Sequence, residues 1–330
     1  MMNFDKVFVL TDDNTYKCCL PVIKDVESVK DATVITIPSG DDNKNLESVS
    51  HVWQELSRGG ATRHSLLVNV GGGVVTDLGG FAAGTFKRGI RYINIPTTLL
   101  SMVDASVGGK TGINFEGLKN EIGVFCDPMR VILDTQFLKT LDTNNFLSGY
   151  AEMLKHGLLS KSDMLDELLA YDMDKMDLDL LDKMIKRSIG VKKSFVKRDP
   201  HEKNIRKALN LGHTVGHAFE SFAMEQKSPV LHGYAVAWGI ICELYLSVAY
   251  FKFPSELMHR VVKFITEHYG KMNISCDDYE RLFEYMTHDK KNMGDKIQFT
   301  LLSNIGSVRI NRTITKEQIF ESLDFYRDGQ

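Results

Sequence analysis

The chain has 330 residues, 43% of them hydrophobic and 25% charged, with a formal net charge of −3. That length suits two domains of roughly 150 residues, each with an ordinary apolar core. The near balance of charge, with Lys and Arg interspersed among acids, excludes a bulk electrostatic affinity for nucleic acid or an anionic membrane.

Up to about residue 145, short β-branched runs recur between helical or glycine-rich pieces, at 7–10, 33–37, 66–70, 92–95 and 131–133. This alternation predicts an α/β domain, with a mostly parallel sheet flanked by helices. Beyond it, Leu, Met, Ile and Lys fall at helical spacing through 149–193, 214–251 and 254–269, which predicts a mainly α-helical second domain. Residues 297–302 and 308–310, around Ser303-Asn304-Ile305-Gly306, predict a small hairpin. The expected domains are 1–146 and 147–330. Residues 163–182 read as amphipathic helices with a solvated acidic face. Cys18, Cys19, Cys126, Cys242 and Cys276 form no C-x-x-C pair, so they are expected to be reduced thiols in a cytoplasmic protein. No membrane partner is expected: the N-terminus lacks a signal-peptide pattern, and Glu243 soon follows the apolar stretch 235–241.

Two groups of residues carry chemistry. In the first half, Leu66-Leu67-Val68-Asn69-Val70 runs into Gly71-Gly72-Gly73, and small and apolar residues then follow at helical spacing to residue 86. Strand, glycines and helix suit phosphate binding, because glycine lets backbone N–H groups approach an anion at the positive end of a helix. This is not the G-x-G-x-x-G fingerprint, and a tight turn with no ligand is the alternative. Residues 88–120 are then dense in polar groups: Pro96-Thr97-Thr98, Asp104, Gly108-Gly109-Lys110-Thr111-Gly112 and Gly117-Leu118-Lys119-Asn120. Loops carrying Lys beside Gly suit anionic oxygens. A Walker A loop is excluded, since its first glycine would fall at Asp104. Taken singly, Lys110 and Lys119 are either ligand contacts or solvated lysines.

In the second half, Glu152, His213 and His232 provide one carboxylate and two imidazoles. Catalytic zinc typically takes three protein ligands and leaves one position open. His213 and His217 are four apart and share a helix face, and a surface or satisfied core pair is the bland alternative.

The order of motifs resembles the 3-dehydroquinate synthase family. The likeness runs through Gly40-Asp41-Asp42-Asn43-Lys44, Gly71-Gly72-Gly73-Val74-Val75-Thr76-Asp77, Phe86-Lys87-Arg88-Gly89 and Ile95-Pro96-Thr97-Thr98-Leu99-Leu100. It continues through 103–111, Gly117-Leu118-Lys119-Asn120, Tyr150-Ala151-Glu152-Met153-Leu154-Lys155, Asn210-Leu211-Gly212-His213-Thr214-Val215-Gly216-His217, Leu231-His232-Gly233 and Asp289-Lys290-Lys291-Asn292. The resemblance implies a homodimer of a Rossmann-like NAD-binding domain and a helical metal- and substrate-binding domain. It implies Glu152, His213 and His232 as zinc ligands, with cobalt as a possible substitute. It implies NAD contacts from Asp41, Lys44, Gly72, Gly73, Val74, Val75, Thr76, Asp77, Thr97, Thr98, Lys110, Lys119 and the turn Phe137, Leu138, Lys139, Thr140. The implied substrate and catalytic set is Asp104, Lys110, Asn120, Lys155, Lys192, Arg206, Asn210, His217 and Lys290, with Arg88 contributed across the dimer.

So many cations suit a sugar phosphate that also bears a carboxylate. The implied reaction converts 3-deoxy-D-arabino-heptulosonate 7-phosphate to 3-dehydroquinate and phosphate, in the shikimate route to aromatic amino acids. It proceeds by transient oxidation by NAD, β-elimination, reduction and an intramolecular aldol closure. The chain departs from the family pattern at Thr76, usually glycine, at Asp41, usually glutamate, and at Tyr234, where glutamate commonly follows Leu-His-Gly. Other sugar phosphate cyclases and a polyol dehydrogenase of related fold are the competing enzymes, and a non-catalytic nucleotide-binding module is the competitor from another class. Arg206, Asn210 and His217 favour the dehydroquinate type.

Overall fold

The structure is a computed structural model that describes residues 4–287 and 297–329. The chain separates into two compact units, residues 1–142 and 143–330. The first contains β1 (Val7–Asp12), α1 (Asp13–Cys18), α2 (Leu20–Ile23), β2 (Thr33–Ile37), α3 (Leu46–Arg58), β3 (Leu66–Gly71), α4 (Gly73–Thr85), β4 (Arg91–Pro96), β5 (Lys110–Phe115), β6 (Leu118–Phe125) and β7 (Arg130–Val131). The second contains α5 (Thr143–Leu158), α6 (Ser162–Leu169), α7 (Leu178–Arg198), α8 (His213–Glu225), α9 (His232–Phe251), α10 (Ser255–Tyr269), α11 (Tyr279–Thr287), β8 (Gln298–Asn304), β9 (Ser307–Thr313) and α12 (Lys316–Asp328). The expected break at 146/147 therefore falls one turn inside α5.

In the first unit β2, β1, β3, β4 and β7 form one sheet in that order, with every pairing parallel. Alternation along the strands puts Phe8, Leu10, Ile35, Ile37 and Leu67 in one apolar core with Val49, Val52 and Leu56 of α3 and Val75, Leu78 and Ala82 of α4. Asn45 caps α3 by accepting from Ser48 N–H at 3.0 Å. The glycines of α4 allow that helix to lie hard on the sheet: a side-chain carbon on Gly79 would stand 2.1 Å from Asn69 Oδ1. The order of strand addition reverses at β1, which pairs with β2 on one side and β3 on the other. In parallel sheets ligands bind beyond the strand C-termini at such a switch point, and Gly71 to Gly73 lie at the C-terminus of β3.

The polar stretch after Asp104 is not the run of loops the sequence suggests. It folds as the antiparallel hairpin β5–β6, whose turn places Glu116 and Gly117 at φ of 48° and 79°. Its polar density hides the strands because most of β6 is exposed. Gly112 and Gly123 face each other so closely that a side-chain carbon on either would meet the opposite backbone, at 2.6 Å and 2.3 Å.

The second unit is built around α9, which packs against α5, α8, α10, α12 and β8. A helix apolar on all sides is what such a position selects. Glu243 does not interrupt the apolar run: it lies fully buried within the 20-residue helix. Length and apolarity alone would let α9 cross a membrane, but 67% of its most apolar window is buried within the fold, as expected of a core helix. The expected C-terminal hairpin forms as β8–β9.

Candidate functional site

Glu152, His213 and His232 are brought together in the second unit from three helices. Glu152 lies in the buried middle of α5, while His213 and His232 are the first residues of α8 and α9. Glu152 Oε1 lies 3.5 Å from His213 Nε2 and 3.6 Å from His232 Nε2. Two ligand atoms each about 2.1 Å from a tetrahedral zinc stand about 3.4 Å apart, so these separations are what a shared cation requires.

The imidazoles are also oriented for the task. His213 Nδ1 bonds the Leu211 carbonyl at 3.0 Å and His232 Nδ1 faces Glu220 at 3.4 Å, which leaves both Nε2 atoms turned toward Glu152. Such outer partners fix the tautomer and raise ligand basicity. Burial works against a charged His232, but Glu152 and Glu220 outweigh it and raise its pKa to about 10. Protons therefore compete with a metal for this ring.

His217 stands one turn along α8, its ring centroid 5.3 Å from His213 and 6.0 Å from His232. Lys155, one turn beyond Glu152 and only 1% exposed, holds its ammonium on Glu152 Oε2. Two further cations of this unit, Lys192 and Arg206, are buried at 6% and 2% exposure. Asp199 anchors the turn that carries Arg206, accepting from the N–H groups of Lys203, Asn204 and Arg206 at 2.7–3.1 Å. Burial opposes ionisation of Asp199, yet these donors hold its carboxyl below the ordinary range. Asn210 donates to Glu202 at 3.0 Å. Lys290 lies outside the described residues.

In the first unit, Gly72 precedes α4 and supplies no side-chain cap, and no acid stands in the helix's first turn. A side-chain carbon on Gly72 would approach Thr98 Cγ2 to 3.0 Å. That cradle of bare N–H groups fits an anion such as a pyrophosphate. Val75 and Thr76 are buried. Thr76, the departure that threatened to crowd this turn, directs its hydroxyl to the Gly73 carbonyl at 3.2 Å. Lys44 is buried and bonds both Asp77 and Asn120 at 2.5 Å. The structure thus ties Asn120, assigned by resemblance to the substrate set, to two residues assigned to NAD.

Lys119 pairs with Asp41 at 3.1 Å. Thr98 bonds Ser101 at the start of the π-turn Ser101–Ala105, which contains Asp104. Thr97 is buried with its N–H on the Gly71 carbonyl. Val74 is half-buried, Phe137 and Leu138 are buried, and Lys139, Thr140, Lys110 and Arg88 are exposed.

Family models described as 3-dehydroquinate synthase N-terminal and C-terminal match residues 34–148 and 149–292. The chain belongs to the 3-dehydroquinate synthase family. A 3-dehydroquinate synthase of Parabacteroides distasonis is 53% identical over 328 residues, covering 99% of this chain and 93% of the relative. The fold is shared with a solved 2-deoxy-scyllo-inosose synthase in complex with carbaglucose-6-phosphate, NAD+ and Co2+ (TM-score 0.84, 24% identity, 99% of this chain and 91% of that one). It is shared too with a 2-epi-5-epi-valiolone synthase from Streptomyces hygroscopicus subsp. jinggangensis 5008 with NAD+ and Zn2+ bound (TM-score 0.84, 21% identity, 98% and 91%).

Within this family member, Tyr234 bonds Asn144 at 3.0 Å and packs its ring on Trp238 and Tyr269. The carboxylate on His232 comes instead from Glu220, which the sequence reading missed. Its signal was present: residues 213, 217 and 220 follow helical spacing, on one face of α8.

Proposed function

We propose that the chain catalyses the 3-dehydroquinate synthase reaction, converting 3-deoxy-D-arabino-heptulosonate 7-phosphate to 3-dehydroquinate and phosphate. The observation that carries this reading is the convergence of His213 Nε2 and His232 Nε2 on Glu152 Oε1, in a unit that also buries Lys155, Lys192 and Arg206. When bound, a divalent metal on Glu152, His213 and His232 supplies Lewis-acid polarisation of a substrate hydroxyl, and NAD supplies reversible hydride acceptance. The metal is zinc, with cobalt a workable substitute on the same N and O donors.

The protein's own residues bind, orient and neutralise. Lys192 and Arg206 attract the substrate's carboxylate and phosphate, where desolvated cations act most strongly. Lys155 and His217 stand beside the ligands and hold or move protons at the reacting hydroxyls. The turn after β3 and the Lys44–Asp77–Asn120 group hold the dinucleotide, with Asp41, Thr97, Thr98, Lys119 and the 137–140 turn around it. Phosphate loss and ring closure then occur within an oriented substrate, much of whose proton transfer its own phosphate can perform. The active species is a cytoplasmic homodimer in which the exposed Arg88 serves the partner's site.

The direct test supplies purified, metal- and NAD-loaded protein with the heptulosonate phosphate, and measures inorganic phosphate and the carbocyclic product by mass spectrometry. Stoichiometric formation of both is expected. Turnover restricted to a hexose phosphate that lacks a carboxylate would contradict the assignment.

A further inference from the structure

α8 and α9 meet at three glycines. A side-chain carbon on Gly239 would lie 2.0 Å from the Gly212 carbonyl oxygen and 2.7 Å from the Gly216 nitrogen. On Gly212 it would lie 2.6 Å from Ile240, and on Gly216 2.9 Å from the Ala235 carbonyl. This close approach brings Glu243, one turn beyond Gly239, to the first turn of α8. Glu243 is fully buried. Its Oε2 accepts from Gly212 N–H at 2.6 Å, and its Oε1 from Thr214 and Val215 N–H at 3.1 Å and 3.4 Å.

Gly212, the residue that precedes α8, is left-handed at φ 79° and has no side chain with which to cap the helix. A carboxylate from a different helix therefore satisfies donors that a local Ser or Asp usually takes. His213 is the residue enclosed by those bonds. Its ring direction is set by the backbone that Glu243 holds and by its own bond to Leu211. There is an electrostatic consequence as well. A cation held by the first residue of a helix sits at the positive end of the helix dipole, which disfavours it. A buried carboxylate on the same N–H groups opposes that field, and at low local dielectric it does so strongly.

We infer that Glu243 is a positioning residue for the metal centre. It locks the 212–215 turn that aims His213 Nε2, and its charge offsets the helix-dipole repulsion of the bound cation. This rests on the reading of Glu152, His213 and His232 as ligands.

The test uses the full chain carrying Glu243→Gln, which keeps the shape and removes the charge. Zinc affinity is measured by competition with a chromophoric chelator, the Co2+-loaded protein by its visible absorption bands, and the metal-free protein by its thermal midpoint. Zinc affinity is expected to fall about 10- to 100-fold, with shifted cobalt bands. Ser247→Ala is the control: its buried hydroxyl donates to the Glu243 carbonyl at 2.7 Å and receives Leu302 N–H at 3.0 Å, away from the ligands. It is expected to lower the thermal midpoint while zinc affinity and the cobalt spectrum stay unchanged.

Zinc affinity within about twofold of the unsubstituted protein in Glu243→Gln, with only the midpoint lowered, would overturn the positioning role. Should the glutamine variant not fold, Glu243→Asp retains the charge at shorter reach. Its zinc affinity is expected below that of the unsubstituted protein, and an unchanged value would equally overturn the role. Failure of the ligand reading is separately visible, as unaltered zinc binding in His213→Ala.

Discussion

His213→Ala is expected to fold, to lose stoichiometric divalent metal and to release phosphate at least about 1,000-fold more slowly, a loss of about 4 kcal/mol in transition-state stabilisation. The side chain is 12% exposed and its neighbours hold the helix start without it, since the Gly212 and Thr214 N–H groups are bonded to Glu243 rather than to the imidazole. Removing the ring therefore subtracts a ligand and leaves the backbone anchored. Two remaining ligands, Glu152 and His232, do not make the three-residue set of a catalytic zinc site. Metal content by elemental analysis beside the rate of phosphate release decides the matter. Full metal content in the variant would remove His213 from the ligand set.

Arg206→Ala is expected to lower kcat/KM by about 1,000-fold, because a buried guanidinium aimed at an anion contributes on the order of 2–5 kcal/mol. Its effect on folding should be smaller. Its backbone N–H, which bonds Asp199, is unaffected by the substitution, and its guanidinium donates to the Pro200 carbonyl at 2.5 Å. Lys192→Ala, at the next buried cation, should behave the same way. Thermal midpoints measured beside the kinetics separate the two roles. If folding falls in step with turnover, the cations serve the core and not a ligand.

Much of this site was legible in the residues. The run from Leu66 into Gly71-Gly72-Gly73 announced a strand, a glycine turn and a helix because apolar run, glycines and helix are each local patterns. Glu152, His213 and His232 stood out in the sequence as a candidate metal set by ligand chemistry, and the fold brings the three side chains together. What stayed hidden depends on tertiary packing. Strand β6 shows little alternation because most of it is exposed, and the hairpin is defined only once it pairs with β5 across the left-handed Glu116–Gly117 turn. Glu243 reads in sequence as a break in an apolar run. Its partner is the end of a helix some thirty residues earlier, brought within reach by glycines whose roles appear only once α8 and α9 cross. Glu220 lay between the two: its spacing from His213 and His217 was visible, but its pairing with His232 was not. Lys44, Asp77 and Asn120 likewise come from three separate elements, and no spacing rule joins them.

The most direct test of the proposed chemistry is the fate of the hydride. The loaded enzyme is given excess heptulosonate phosphate with NAD+ at a small fraction of the substrate concentration, and free phosphate and reduced-nicotinamide absorbance are followed together. A closed redox cycle predicts phosphate accumulating through many turnovers per NAD+, while net nicotinamide absorbance stays flat. Reduced nicotinamide rising in proportion to substrate consumed, with reaction ending when NAD+ is exhausted, would identify a dehydrogenase and contradict the cyclase assignment.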